Sequence, residues 1–294
     1  MSEPGRRWLE VSARCPSAGE RALLLADGLV ALGGRAVEEE DGWYRTHFEE
    51  PEDAEAFLAE ARSVLGVLTG APESEVELRT RWCSHEDWAE TWKRGIEPRR
   101  ITRRLIVTTT WQPVEAEPGH LVVVVDPGMA FGTAEHGTTR GCLRLLDRTV
   151  RPGQRLVDVG AGSGILSIAA ARMGASDIVA VEGDPLAVEA MEENVGRNGV
   201  AGAVTIDTTW ADNAFLASLA PRDGVVANLE SGILRPLLPG FASVLPADGW
   251  LILSGILAEE WPGVRDDTIR AGFRFVEVDE DGEWRSGLFR RTSP

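Results

Sequence analysis

Residues 156–164 read Leu-Val-Asp-Val-Gly-Ala-Gly-Ser-Gly. An apolar strand reaches Asp158, and the chain then passes through Gly160, Gly162 and Gly164 at alternate positions. A helical pattern starts at once and runs from Ile165 to Met173. Glycine suits a backbone that must take positive φ or let a ligand come close. A helix that begins directly after such a turn leaves its first amides unpaired and pointing outward. A second strand follows, Ile178 to Val181, and ends at Glu182. That carboxylate falls about 20 residues past the first glycine, where open α/β cofactor folds hold ribose hydroxyls. Strand, glycine turn, helix, strand and terminal acid together make a cradle for a nucleotide-like cofactor. Taken alone, the glycines would make only a tight strand-to-helix turn.

The dinucleotide fingerprint is G-x-G-x-x-G. Here its third glycine position is Ile165, so a nicotinamide or flavin dinucleotide fits poorly. G-x-G-x-G with an acid two residues upstream is similar to the pattern of S-adenosylmethionine-dependent methyltransferases. That cofactor is a cation with a zwitterionic methionine tail. It suits loop amides near its carboxylate and acids near its ammonium and ribose.

At 294 residues the chain has room for two domains and a proper core. It carries 30 basic against 47 acidic residues, a formal net charge of −17. This argues against nucleic acid as the primary ligand, since phosphate contacts need basic surface. It permits a basic protein partner, although the acidity could equally serve solubility alone. Cys15, Cys83 and Cys142 are far apart, which suggests reduced thiols and no zinc site. No apolar run reaches the ~20 residues a membrane span requires, and no signal-peptide pattern opens the chain. The expectation is a cytoplasmic, monomeric protein without a bound metal.

Along the chain, Trp8 to Ser12, Ala36 to Glu39, Trp43 to Phe48 and Val76 to Arg81 read as strands. Two helices, Glu20 to Leu32 and Pro51 to Leu65, fall between them. Gly33-Gly34 marks a helix end, and Asp41-Gly42 a hairpin turn. The order β-α-β-β-α-β is ferredoxin-like, so residues 1–80 are expected to form a small α+β domain. Residues 81–110 read as a bridge, with Trp82, Trp88 and Trp92 followed by Lys93, Arg94, Arg99, Arg100, Arg103 and Arg104. A solvated linker whose arginines pair with local acids explains that basic run better than a ligand site does. Residues 111–294 alternate strands and helices, as a doubly wound α/β sheet requires. Strands are expected at Arg155–Val159, Ile178–Glu182, Val204–Asp207, Gly224–Asn228 and Trp250–Ser254. The tail, 273–279 and 284–290, reads as two further strands around Asp281-Gly282.

Asp126 to Thr139 reads Asp-Pro-Gly-Met-Ala-Phe-Gly-Thr-Ala-Glu-His-Gly-Thr-Thr. By itself this is a loop before a helix from Thr139 to Leu146, with Thr138 or Thr139 as its cap. Here the chain strongly resembles the bacterial methyltransferases that modify large-subunit ribosomal protein L11. The resemblance extends over nearly the whole chain. It includes Trp8-Leu9-Glu10-Val11-Ser12, Trp88-x-x-x-Trp92-Lys93, Asp184-Pro185-Leu186-Ala187-Val188, Asn228, Leu253-Ser254-Gly255-Ile256-Leu257 and Glu283-Trp284.

The resemblance implies a seven-stranded class I methyltransferase sheet with a terminal antiparallel strand. It also implies S-adenosylmethionine as cofactor, and amino groups of L11 as acceptor, on a lysine side chain or the N-terminus. The N-terminal domain would recognise that substrate. Thr139 would hold the methionine end of the cofactor, Gly160 the loop, Glu182 the ribose in place of the family's aspartate, and Asn228 the transferred methyl. Asp158, Gly162 and Gly164 complete the expected cofactor site. Singly, Thr139 could be a helix cap, Glu182 a solvated strand end and Asn228 a turn former. His136 reads as a loop-fixing histidine rather than a base. The family's Gly-Thr-His-Pro is here Ala134-Glu135-His136-Gly137, and its Asn-Ile-Leu-Ala-Gly is Asn228-Leu229-Glu230-Ser231-Gly232. Each change adds a glutamate near the expected reaction centre. Another protein lysine or arginine, or a small molecule, therefore stands as the alternative acceptor, and a non-catalytic cofactor-binding protein as a remoter one.

Overall fold

The computed structural model describes residues 7–16, 22, 24–34, 37–40, 42–51, 53–84, 97–126 and 134–292. The chain divides into two compact units, Met1–Gly95 and Ile96–Pro294.

The first unit runs β1 (Arg7–Arg14), α1 (Leu24–Ala31), β2 (Glu38–Glu40), β3 (Trp43–Glu49), α2 (Ala54–Thr69) and β4 (Glu77–Ser84). Its four strands lie in the order β2-β3-β1-β4, and each neighbouring pair is antiparallel. This is the β-α-β-β-α-β order read from the sequence. Asp53 starts α2 by accepting from the Glu55 and Ala56 amides, both at 3.0 Å, as an N-cap aspartate should. Gly70 ends it in the left-handed region at φ 70°. Leu9, Val11 and Ala13 of β1 share one face of the sheet and pack with Leu25, Leu29 and Leu65 of the two helices. The strand expected to stop at Arg81 continues to Ser84, paired with β1 throughout. The tryptophan pair Trp88 and Trp92, with Lys93 and Arg94, lies outside the described residues.

The second unit opens with a small sheet: β5 (Arg99–Arg100), β6 (Leu105–Thr108) and β7 (Leu121–Val124). Residues 97–110, read from sequence as a bridge, thus carry two strands and group with the second unit. Their short apolar runs were obscured by the arginines between them. The expected pairing with local acids is not what two of those arginines make: Arg99 pairs with Glu135 and Arg104 with Asp147, 36 and 43 residues further along the chain.

After it come α3 (Gly137–Thr149), β8 (Arg155–Val159), α4 (Ile165–Arg172), β9 (Asp177–Val181), α5 (Pro185–Arg197), β10 (Val204–Asp207), α6 (Asn213–Ser218) and β11 (Gly224–Asn228). The chain ends with α7 (Ser231–Val244), β12 (Trp250–Leu257), α8 (Trp261–Arg270), β13 (Phe273–Asp281) and β14 (Trp284–Arg291). The main sheet has the order β10-β9-β8-β11-β12-β14-β13. Pairs within β10-β9-β8-β11-β12 are parallel, whereas β14 is antiparallel to both its neighbours.

Helices cover both faces, so the central strands read as continuous apolar runs rather than alternating ones. Leu156 and Trp250 belong to the core beneath α3 and α4, while Val157, Val159 and Leu251 belong to the core beneath α7. Gly224 makes room for Trp250 on the adjacent strand, where a Cβ would run into the indole ring. Strand alternation puts Asp158 on the same side as Leu156, under the first helix pair. Its burial follows from that placement.

Candidate active site

The chain lays β8, β9 and β10 outward in one direction, then returns to place β11 on the other side of β8. The reversal opens a crevice at the carboxyl ends of β8 and β11, the position where open α/β sheets bind ligands. A cavity of about 530 Å3 lies there. Its walls include Gly160, Gly162, Glu182, Asn228, His136 and Trp284.

The glycine loop is held by its neighbour strand. Gly160 and Ala161 both donate to the Val181 carbonyl, at 2.9 and 3.0 Å. All three glycines have positive φ, at 70°, 53° and 78°. Close packing adds a second constraint at two of them. A Cβ on Gly160 would lie 2.5 Å from Leu229 Cδ2, and one on Gly164 would lie 2.7 Å from Met191 Cγ. These two glycines therefore serve turn geometry and protein packing, and Gly164 sits at the N-cap of α4 off the cavity wall. Glu182 completes the loop: its two carboxylate oxygens accept from the Gly162 and Asp184 amides, both at 2.9 Å. Each oxygen keeps lone-pair capacity for a further donor.

Asp158 is 1% exposed. One of its oxygens accepts from Ser167 Oγ at 2.7 Å, and the other, Oδ1, is buried without a partner. Burial pushes its carboxyl up to about 7, the Ser167 hydrogen bond pulls it down, and nearby Glu182 adds to the rise. Thr139 Oγ1 and Asn228 Oδ1 are likewise buried without a partner. Buried polar atoms are nearly always satisfied in folded proteins. Of these three residues Asn228 is on the cavity wall, whereas Thr139 and Asp158 lie behind it; Thr46 and Thr109, which were not expected at the site, carry such atoms too.

The start of α3 differs from the sequence reading. Neither Thr138 nor Thr139 caps the helix; His136 occupies the N-cap without a side-chain cap bond, and both threonines lie inside the first turn. The helix starts at Gly137, two residues early, and there Gly137 fits against Trp284 and Asp281, with an added Cβ only 3.1 Å from the indole. Thr138 instead lines the cavity, and its Oγ1 lies 2.6 Å from His136 Nδ1. The His136 ring packs at 4.8 Å from that of Trp284. Burial and then the Arg140 charge push its pKa below the usual value, so the ring is mainly neutral near pH 7.

The two departing glutamates separate. Glu135 forms a bidentate pair with Arg99 at 2.5 and 3.1 Å and is not on the cavity wall. Glu230 is exposed and lines the cavity beside Asn228. Asp126 anchors its segment by accepting from the Thr110 amide and hydroxyl, both at 2.8 Å. Phe131 lies outside the described residues.

Sequence reasoning missed Trp210 and Leu229. Trp210 is 76% exposed on the cavity wall over Gly183. A lone tryptophan just past the carboxyl end of β10 was the available signal. Leu229 sits between two glycines, its side chain on Gly160 and its backbone on Gly255, at φ 82°. Gly255 belongs to an irregularity in the pairing of β12 with β14. The Leu229 amide also donates to the Ser254 carbonyl at 3.1 Å. This clasp fixes the turn on which Asn228 stands.

A seven-stranded sheet with one antiparallel strand next to its edge, and a glycine loop at the switch point, define a class I methyltransferase. The model of the family described as "Ribosomal protein L11 methyltransferase (PrmA)" matches residues 10–292. The chain belongs to the ribosomal protein L11 methyltransferase family. It is 38% identical over 303 residues to the ribosomal protein L11 methyltransferase of Pelotomaculum thermopropionicum, covering 94% of this chain and 96% of that protein. It is 41% identical over 206 residues to the one from Symbiobacterium thermophilum, covering 70% and 66%. A crystal structure of ribosomal protein L11 methylase from Lactobacillus delbrueckii subsp. bulgaricus superposes with a TM-score of 0.60 at 29% identity, over 67% of this chain and all of that one. Among the described residues no His, Cys, Asp and Glu group is arranged to hold a metal. No described helix is long and apolar enough to cross a membrane.

Proposed function

We propose that this protein transfers methyl groups from S-adenosylmethionine to amino groups of ribosomal protein L11, on a lysine side chain, the N-terminal amine or both. The observation that carries the reading is the crevice at the β8–β11 switch point together with the unsatisfied Thr139 Oγ1, Asp158 Oδ1 and Asn228 Oδ1. Their chemistry fits a zwitterionic, cationic cofactor. Thr139 would bind at the methionine end, and Asp158 would offer its free oxygen on the same side. Glu182 would accept from the ribose hydroxyls while holding the loop of Gly160, Gly162 and Gly164.

When bound, the cofactor supplies a methyl group already activated on a sulfonium. The protein then needs alignment and a dry site. An ammonium has no lone pair, so the acceptor must arrive or become neutral, aided by desolvation. In this reading Asn228 orients the neutral amine by accepting an N–H at its free Oδ1, without a dedicated strong base. His136 supports the wall of the site, since its Nδ1 is engaged by Thr138. The first unit would recognise the folded protein substrate, which is basic where this chain is acidic. The enzyme would act in the cytoplasm, as a monomer, with no nucleic-acid requirement.

A second reading keeps the chemistry and changes the acceptor to another basic protein. Glu230, exposed on the cavity wall beside Asn228, favours it. One experiment decides between them: incubation with labelled S-adenosylmethionine and a complete set of ribosomal proteins or a whole-cell extract, followed by mass spectrometry. Methyl groups confined to L11 amines support the first reading. Methylation of a different protein supports the second. Absence of transfer to L11 by enzyme that binds the cofactor refutes the first reading, and absence of transfer to any protein of a whole-cell extract refutes the second.

A further inference from the structure

Helix α3 and edge strand β13 are joined by a ladder of ion pairs. Arg140 forks onto Asp281 at 2.6 and 2.8 Å, and Arg144 onto Asp279 at 2.5 and 2.8 Å. Arg148 reaches Glu277 at 2.8 Å. The rungs match because four helix residues rise about 6 Å and two strand residues about 6.6 Å. Among the described residues, only the first rung also touches the loop before the helix. Arg140 Nη1 donates to the Glu135 carbonyl at 2.5 Å and to the Ala134 carbonyl at 3.4 Å. Loop residue His136 packs on Trp284, which starts β14 just after the turn from Asp281. Gly137 fits against both Asp281 and Trp284.

We infer that Arg140, held by Asp281, is a positioning residue for the active site. Its fork ties the carbonyls of residues 134 and 135 to the β13–β14 turn, and so sets where His136, Thr138 and Thr139 stand. A planar guanidinium can serve a carboxylate and backbone carbonyls at once; a lysine ammonium cannot reproduce that fork. Arg144 provides the matched control. It is equally paired, including a 2.9 Å contact to Asp281, but among the described residues no hydrogen bond links it to residues 134–136.

The inference rests on the proposed site, and its test separates the two. Arg140→Ala, Arg140→Lys and Arg144→Ala are compared with the wild-type protein in two ways. Proton NMR follows the His136 imidazole, one of four histidines, whose resonances are displaced by the Trp284 ring. Arg140→Ala and Arg140→Lys are expected to move those resonances toward free-imidazole positions, and Arg144→Ala to leave them in place. This readout needs neither cofactor nor acceptor. In methyl transfer to L11, Arg140→Ala should lower kcat about 10- to 100-fold, the cost of a small misplacement, with KM changed less. Arg144→Ala should stay within about threefold of wild type. Equal NMR and kcat effects from Arg140→Ala and Arg144→Ala would overturn the inference, as would an unmoved His136 in Arg140→Ala. Wild-type protein that methylates no L11 sinks the functional reading alone, and the NMR comparison still decides the positioning role.

Discussion

Replacing Asp158 by Asn is expected to stabilise the unliganded protein, and to do so only where the pH is high enough. In the native state the Asp158 carboxyl holds its proton up to about 7, against 3.8 ordinarily, mainly because it is buried. In the unfolded chain it ionises near the ordinary value. Between those two values unfolding releases a proton, so the contribution of Asp158 to stability falls as pH rises. It levels off above about 7, where both states are ionised. At about 1.4 kcal/mol per pH unit, the full cost at alkaline pH is on the order of 4 kcal/mol. Asparagine does not ionise. It can still accept from Ser167, and its amide would replace one unpaired atom with another. The stability difference between variant and wild type should therefore grow by about 2 kcal/mol from pH 5.5 to 7, then stay level to 8.5. Urea unfolding followed by circular dichroism at several pH values measures it directly, and the other titrating groups cancel in the difference. A difference that does not change with pH, or a variant less stable than wild type at pH 8.5, would refute the reasoning. The same substitution should weaken binding of S-adenosylhomocysteine, whose ammonium group would lose a carboxylate at the proposed site.

Asn228→Ala should lower turnover on L11 by 10-fold or more while changing cofactor affinity, measured by calorimetry, less than about threefold; equal losses in both would remove the acceptor-orienting role. Gly255→Ala should destabilise more than Gly160→Ala. Both force a side chain into the left-handed region at a cost of about 1–2 kcal/mol, but only at Gly255 does the new Cβ meet backbone, the carbonyl of Leu229. At Gly160 it meets the flexible end of the Leu229 side chain, which can turn away; thermal melts rank the two. A chain lacking residues 1–95, the whole first unit, should still bind S-adenosylhomocysteine yet fail to methylate folded L11, and unchanged activity would remove the first unit from substrate recognition.

Local chemistry made much of this protein legible in the sequence. The Asp158–Gly164 run, the acid at Glu182 and the proline-started helix at Pro185 each depend on neighbours close in the chain. Strand–turn–helix signals are local, so the sheet and the glycine loop at its switch point could be read from them. The β-α-β-β-α-β order of the first unit was readable for the same reason. The helix beginning at Gly137 rather than Thr139 was not, nor was the fit of Gly137 against Trp284 and Asp281, more than 140 residues away. The ladder from Arg140 to Arg148 was equally hidden. Its arginines repeat on a helical period and its acids on a strand period, so no single window contains the match.

The sequence by itself determined the class of fold and the side of the sheet on which a ligand would sit, since both follow from the order of strands and the glycine turn. Only the tertiary structure decided how the site is held. It buried Asp158 beneath α3 and α4, left its Oδ1 without a partner, clasped Leu229 between Gly160 and Gly255, and drew Glu135 away to Arg99 while leaving Glu230 on the cavity wall. Burial and pairing depend on atoms brought together from distant parts of the chain, and those two properties set both the charge of a carboxyl and the direction in which it can act.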